Sequence, residues 1–445
     1  MRQCLSIYLS VIMRKGLSKR IQSFVGLLTV AIVQSVYSQG AVPAVVATEA
    51  DRISALEKQI KDLQVELQKL RTQPAATEEQ ERQWRDLLKN SSGMKLNFYG
   101  EAKYFSAKGA DGNYFDPHRF VLAPSYRIND WMTFHSEFEV EHGGVDESTT
   151  GRFDGEVEVE QMFIDLKLND FFNIRSPGVH LVPVGRINLF HEPTTFYSVD
   201  RPLLYNSIIP STWMESALGG IWGNHEGFGY SFMISQGLTE QSKQISASKG
   251  VRDSRPRLRN KGDPSSDLGY SGRITYSGID NLQTSASGYL TSISGTGGES
   301  TAALWDVEAV YRVPKTGLEL RGDFAMWHFS NPERLSKNQT AGDDNFGDRM
   351  YGWHLEAAYH LWPDAWKKGR GAEMDFVPFV RYTDLHTVAG KIPSGLTPDY
   401  SKNCNYIETG FAWYLSKNVV LKGTFLDNLS NATEQYFGLG VGINF

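Results

Sequence analysis

Apolar and polar side chains alternate through this chain from Lys95 to Phe445, and this alternation limits the possible folds more than any other feature. In the stretch Met132–Val140, for example, Met, Phe, Phe and Val occupy one set of alternate positions, whereas Thr, His and two Glu occupy the other. A period of two is typical of a β-strand. Because no helical pattern remains in this region to cover a sheet, a closed barrel with lipid outside and water inside would best satisfy the backbone. The alternation therefore predicts an all-β fold, a transmembrane antiparallel β-barrel.

About 16 segments carry this pattern, and long and short connections alternate between them, as in outer-membrane barrels. The fourth segment, 156–169, changes its apolar parity near Glu160, which predicts a β-bulge. The fifth segment is predicted at 178–190. The last, 434–445, is the most regular, with large apolar residues on one face and glycines on the other. Residues 94–445 are therefore predicted to form an outer-membrane β-barrel of about 16 strands.

Two different patterns precede the barrel. Residues 1–38 combine a basic start, an apolar stretch at 24–33 and small residues before position 39, which predicts a cleaved signal peptide. Residues 39–93 are predicted to be a periplasmic coiled-coil segment and linker, because apolar residues within them alternate spacings of three and four. These residues are Ile53, Leu56, Ile60, Leu63, Leu67 and Leu70. The narrow seam favours self-association with an open number of helices, and the alternative is an amphipathic helix packed on the barrel.

Charge, cysteine and histidine usage exclude several classes of function. Residues 1–38 hold five basic residues and no acid, so the rest of the chain has 40 basic and 51 acidic residues and no nucleic-acid partner is expected. Cys404 would be alone in the mature chain, which excludes an intramolecular disulfide. The histidines show no metal-ligand spacing and no nucleophile motif stands out. We therefore expect no metal, no cofactor and no catalytic residue.

Charged residues of both signs fall on the strand faces that should line the lumen. The candidate lumen cations are Lys103, Arg119, Arg127, Arg273, Arg321 and Arg381. A ladder of unpaired cations would favour anions. Because nearly as many carboxylates share these faces, cross-strand pairing is the better explanation for most of them.

A second basic group lies in the connection 237–265. It comprises Arg252, Arg255, Arg257 and Arg259. These side chains are candidates to gather anions at the pore mouth or to bind lipopolysaccharide phosphates. A solvated loop without such a role explains them equally well.

The stretch His191–Pro202, followed by Ile208–Trp213, resembles the phosphate-selective porin O and P family of Gram-negative outer membranes. The resemblance covers roughly 95–445 and implies a homotrimeric 16-strand barrel for small anions, with the connection 191–212 folded inward as a constriction. Three prolines and several aromatic residues in this connection fit a stiff loop that needs apolar cover. The charges then expected near the constriction are Arg186, Glu192, Asp200 and Arg201.

Together these observations predict a porin, not an enzyme, in the bacterial outer membrane. It would allow passive diffusion of small hydrophilic solutes, with anions such as phosphate as candidates, and would contact membrane lipid and lipopolysaccharide. One alternative is a structural tether, in which the coiled coil holds a periplasmic partner and the barrel only anchors. The other is an outer-membrane barrel hydrolase.

Overall fold

The computed structural model describes residues 93–108, 112–145, 155–239, 245–256, 258, 267–295, 298–337, 344–431 and 434–445. The predicted signal peptide and coiled coil lie outside these residues. Within them no helix is long and apolar enough to cross a bilayer.

Seventeen strands make up the described part of the fold. They are β1 (Met94–Lys108), β2 (Asn113–Arg127), β3 (Met132–Glu141), β4 (Val157–Leu166), β5 (Asn173–Arg175), β6 (Gly178–Leu181), β7 (Met214–His225), β8 (Phe228–Gln236), β9 (Leu268–Ile279), β10 (Leu282–Gly295), β11 (Gly298–Arg312), β12 (Leu318–Phe329), β13 (Arg349–Tyr359), β14 (Asp375–Ala389), β15 (Cys404–Ser416), β16 (Val419–Asn428) and β17 (Gln435–Asn444). Among the described residues three short α-helices accompany them: α1 (Arg186–Leu189), α2 (Leu204–Ser207) and α3 (Pro332–Lys337).

The strands close into a barrel. Neighbouring strands along the chain pair antiparallel, and β17 pairs with β1 from Tyr99↔Asn444 to Lys108↔Gln435. Strands β5 and β6 lie end to end between β4 and β7, so they fill one position of the wall. Pro177 separates them, since proline has no N–H for the ladder. The wall therefore has 16 strand positions, and the predicted 16-strand barrel is confirmed.

The fifth predicted strand, 178–190, was wrong in its second half. Strand β6 ends at Leu181, and the chain then turns into the barrel, where Gly185 adopts a φ of 71° before α1 begins. Val182 and Val184 are fully buried there. Because both residues are apolar, they continue the sequence pattern of β6. Their side chains nevertheless pack inside the barrel and do not belong to the strand.

The bulge predicted near Glu160 is present. In the β3–β4 ladder Glu137 pairs with Gln161 and Phe138 with Val159, so Glu160 is the extra residue. Glu160 is fully buried, and the bulge thus adds a carboxylate to the inner face.

Large apolar side chains cover the outer face of the wall. Phe437, Leu439 and Val441 of β17 are each at least 40% exposed, whereas the glycines between them point inward. The same alternation recurs on other strands, for example with Phe232, Ile274, Trp305, Val307, Leu320, Leu355 and Phe425. Such a continuous apolar exterior is suited to lipid rather than water.

Candidate functional site

The connection between β6 and β7, residues 182–213, lies inside the barrel, and we call it the inner loop. At one side Asp200 accepts a hydrogen bond from Lys103 of β1, 2.8 Å away. At the other side Tyr197 donates to Glu319 of β12, also at 2.8 Å. Because β1 and β12 lie on different sides of the wall, a loop that reaches both must cross the lumen.

Further hydrogen bonds hold the inner loop around most of the circumference. They join Tyr205 to Asp323 of β12, Ser198 to Arg381 of β14, Thr194 to Tyr414 of β15, Val199 to Thr424 of β16 and Thr194 to Asn444 of β17. In addition, Trp327 of β12 donates its indole N–H to the carbonyl of Ile208. The loop is thereby fixed to the wall by side chains rather than by a strand ladder.

Strand β17 gives the inner loop a smooth surface on which to lie. Gly438, Gly440 and Gly442 face inward, and a Cβ on Gly442 would stand 2.5 Å from Cβ of Pro193. A Cβ on Gly440 would stand 3.4 Å from Cγ1 of Val199. The alternating glycines were visible in the sequence, but only the structure shows that they make room for the loop.

The half of the inner loop that follows Pro202 is apolar and needs cover from other connections. Leu204, Ile208 and Ile209 are fully buried. They share one apolar cluster with Trp213, Leu238, Val251, Trp327, Phe329, Phe346 and Met350. The connections after β8 and β12 therefore fold over the inner loop.

The four predicted constriction charges divide into two groups. Arg186 begins α1, and its backbone N–H donates to Glu308 of β11 at 2.9 Å. Its guanidinium forms no ion pair with a described residue. Arg201 instead donates to hydroxyls at the other end of the inner loop, Thr212 at 3.0 Å and Ser211, and burial lowers the pKa of Arg201.

The two predicted constriction acids also differ. Asp200 is paired with Lys103, as described above. Glu192 is partly buried, and its Oε2 finds no donor within the described part of the chain. The sequence therefore placed all four charges on the inner loop or beside it, but they do not form one ring.

Most of the predicted lumen cations are bound to carboxylates. Within 4 Å, the pairs are Arg119–Glu101, Arg119–Glu139, Lys103–Glu101, Lys103–Asp200, Arg273–Glu308, Arg321–Glu319, Arg321–Glu356, Arg381–Glu356 and Arg381–Glu408. Arg127, by contrast, is exposed at the end of β2 and pairs with none of the described residues. Lys422 of β16 faces the lumen, and its Nζ lies 3.6 Å from the centre of the Phe196 ring. Most of the predicted lumen cations are therefore paired with carboxylates, and a few cations have no carboxylate partner among the described residues.

The described part of the basic connection between β8 and β9 packs against the inner loop. Arg252 donates to Asn206 of α2 at 2.7 Å, and Arg255 donates to the carbonyl of Thr212. Burial lowers the pKa of Arg255. Arg257 and Arg259 lie outside the described residues.

Arg252 and Arg255 line a cleft of about 660 Å³ that is rich in carboxylates. Its acidic residues are Glu139, Glu141, Glu156, Glu158 and Asp253. The sequence alone does not reveal this acidic surface, because most of these residues come from β3, β4 and their connection, far from the arginines along the chain. The cleft is therefore not the purely basic mouth that the arginines alone suggested.

A second cavity of about 430 Å³ opens beside the turn between β9 and β10. Arg186, Arg312 and Arg321 line it together with Glu319 and Asp280. A smaller cavity of about 30 Å³ lies beside Tyr205 and shares Arg186 and Arg321 with it. Residues of the inner loop therefore line both cavities.

The structure also forms clusters that the sequence did not suggest. His191 of the inner loop meets Glu137 of β3 and Glu160 of β4. Asp306, Glu308 and Asp323 form another group under Tyr205, and Asp116, His118 and His142 a third. No local spacing could reveal these clusters, because each draws on at least two strands or on a strand and a connection.

Comparisons with known proteins support the fold. No protein-family profile matches the chain. An uncharacterised protein of Aquifex aeolicus (strain VF5) is 27% identical over 342 residues, which is 75% of each chain. OmpF of Salmonella typhi, solved in complex with daunomycin, superposes with a TM-score of 0.51 at 14% identity, over 79% of this chain and 97% of OmpF.

Two further solved structures are similar at lower scores. An anion-selective porin from Comamonas acidovorans has a TM-score of 0.48 at 14% identity, covering 79% of this chain and 99% of that porin. OprB of Pseudomonas putida has 0.48 at 12% identity, covering 81% and 96%.

The fold is that of a porin barrel, as the likeness to OmpF indicates. With its closed wall and apolar exterior, the chain is an outer-membrane β-barrel protein.

Proposed function

We propose that this barrel is a passive channel through which small hydrophilic solutes cross the outer membrane. The observation that carries the proposal is the charged, loop-narrowed lumen: two polar cavities lie inside or at the rim of a closed wall, and the inner loop crosses between its sides. A lumen lined by charged side chains holds water, whereas a purely structural barrel would gain more by filling it with apolar side chains.

We further propose that small anions, phosphate among them, are favoured solutes. Support comes from the cavity beside the β9–β10 turn, where Arg186, Arg312 and Arg321 outnumber Glu319 and Asp280. Arg312 and Arg321 both bind Glu319, each at 2.6 Å, so Arg186 is the cation that remains for a solute. The proposed anion preference depends on this cavity, because the cleft beside Arg252 and Arg255 is rich in carboxylates.

Single-channel recordings in planar bilayers test both statements. We expect stepwise conductance, and reversal potentials in asymmetric chloride and phosphate that show an anion preference. Arg186→Gln should shift the reversal potential toward cations. The matched control Arg127→Gln removes the same charge from the exposed end of β2 and should leave it unchanged. Absence of conductance would refute the channel, and a cation-selective wild type would refute the anion preference.

The homotrimer, the signal peptide and the coiled coil are also part of the proposal. The resemblance to phosphate-selective porins implies three subunits, and the seam within 49–72 offers an additional contact between them. Deleting 49–72 separates the channel from the rival tether. A channel lacking this segment should still conduct, whereas a tether should lose its effect on the cell envelope.

A further inference from the structure

Four atoms that commonly bind metals meet where the inner loop crosses β1, β3 and β4. The Tyr99 hydroxyl lies 2.8 Å from Oε1 of Glu137 and 2.9 Å from Nε2 of His191. It lies 3.3 Å from Oε2 of Glu160, and that oxygen is 3.7 Å from Nε2 of His191. All four residues are less than 9% exposed. The cluster therefore joins three elements of the wall to the inner loop in a place shielded from water.

The protons available in this cluster do not satisfy its acceptors. Nδ1 of His191 is 2.9 Å from the carbonyl of Asn188, so the ring N–H points there and Nε2 presents a lone pair. The Tyr99 hydroxyl then has one hydrogen for three acceptors.

A separate observation concerns the second oxygen of Glu160. Glu160 is fully buried, and its Oε1 has no N–H or hydroxyl donor among the residues that the structure describes; only the carboxyl of Glu139 lies beside it, and that group can donate only when it is protonated. A buried carboxylate oxygen without a donor costs free energy unless a cation or a proton reaches it. Neither nearby arginine bonds to this oxygen: Arg119 binds Glu101 and the His191 carbonyl, and Arg201 binds two hydroxyls. Nη1 of Arg119 has no hydrogen-bond partner among the described residues and lies 3.8 Å from Glu139.

The spacing of the four atoms fits a tetrahedral cation. Metal–ligand bonds of about 2.1 Å place the ligands of a tetrahedral site about 3.4 Å apart. Four of the six separations in the cluster run from 2.8 to 3.7 Å, and the ligand atoms of Glu137, Glu160 and His191 all lie within 4.8 Å of one another. A histidine that donates its other N–H to a backbone carbonyl is the usual arrangement at such sites. The mixed N and O ligands favour a transition metal over Ca²⁺, which takes six to eight oxygens.

We propose that Tyr99, Glu137, Glu160 and His191 bind a divalent transition-metal ion such as Zn²⁺. The ion joins the start of the inner loop to β1, β3 and β4. It therefore fixes the loop in the lumen and supplies the positive charge that the carboxylates lack. This inference does not depend on which solute passes through the barrel.

The test uses the full-length protein in detergent, stripped of metal with a chelator and titrated with Zn²⁺ or Co²⁺. We expect one tight ion per chain, a visible absorption band of tetrahedral Co²⁺, and a higher thermal midpoint with Zn²⁺. His191→Gln and Glu160→Gln should each weaken binding at least about 100-fold. Tyr99→Phe keeps the ring in place and should weaken it at least about tenfold, which covers the case in which the other variants do not fold.

The matched control addresses the second histidine cluster. His118 and His142 flank Asp116 near the long connections, with His142 Nδ1 at 2.7 Å from the carboxylate. His142→Gln should retain the tight ion and the Co²⁺ spectrum. Loss of the ion in this variant with full retention in the His191 and Tyr99 variants would overturn the proposal. Absence of any tight ion in the wild type would overturn it as well and would leave a shared proton between carboxyl groups as the explanation.

Discussion

Two alanine substitutions on one strand test whether the inner loop lies against β17. Gly440 and Gly442 are two residues apart and face the same way, so Gly→Ala changes backbone entropy and strand propensity almost equally at both. They differ in what the new methyl group meets. At Gly440 the nearest atom is Cγ1 of Val199 at 3.4 Å, an ordinary contact.

At Gly442 the new Cβ would stand 2.5 Å from Cβ and 2.9 Å from Cγ of Pro193. Since ordinary contacts begin near 3.4 Å, Pro193 must move by about 0.9 Å. Overpacking of this kind costs about 1–3 kcal/mol. Gly→Ala at a compatible site gains about 0.4–1 kcal/mol instead. We therefore expect Gly442→Ala to lower the free energy of unfolding by about 1–2 kcal/mol and Gly440→Ala to leave it equal or slightly higher.

Urea titration of the detergent-solubilised barrel, followed by tryptophan fluorescence, measures the difference between the two variants. Single-channel conductance supplies an independent readout, because displacement of Pro193 should alter the lumen in Gly442→Ala only. Equal stability and equal conductance in the two variants would refute the placement of the loop on the glycine face of β17.

Two further predictions concern the charges that hold the inner loop and the wall. Arg381→Gln leaves Glu408 buried without its cation and Glu356 with Arg321 alone and should cost about 3–5 kcal/mol in urea titration; a loss below about 1 kcal/mol would contradict this. Hydrogen bonding to Asp375 raises the pKa of His360 to about 9, above its ordinary value of about 6.5. The protonated ring therefore stabilises the fold fully below about pH 6.5. About 1–2 kcal/mol of the free energy of unfolding is lost as the pH rises through 9. His360→Gln should remove this pH dependence. If the free energy of unfolding of this variant varied with pH as in the wild type, the prediction would be wrong.

The wall of the barrel could be predicted because its information is local. Each strand shows its own alternation, and even the bulge at Glu160 appears as a shift of parity within one segment. The prediction failed in the second half of the fifth segment, where apolar residues serve another purpose. Val182 and Val184 continue the pattern of β6, yet they are buried inside the barrel. A period of two cannot distinguish a residue that faces lipid from one that faces an inner loop.

The site could be predicted only in part, because its contacts join residues far apart along the chain. Arg186 and Asp200, two of the residues expected at a constriction, lie on the loop that enters the barrel. The sequence could not show that Asp200 is bound by Lys103, or that His191 meets carboxylates of two strands. The carboxylates that face Arg255 come from another part of the chain. Pairing of this kind follows from barrel closure and register, which no single segment contains.

The paired network also determines how the charge of this lumen should be interpreted. Arg119, Arg273 and Arg381 are each bound to a carboxylate, so their fields largely cancel at the distance of a passing solute. The total count of lumen charges therefore says little about selectivity. In the proposed channel a solute would meet the charges that remain: a cation such as Arg186 in one cavity and the acidic cleft beside Arg255 in another. Because the inner loop occupies many of the wall's polar groups as anchors, its position decides which charges remain for the solute.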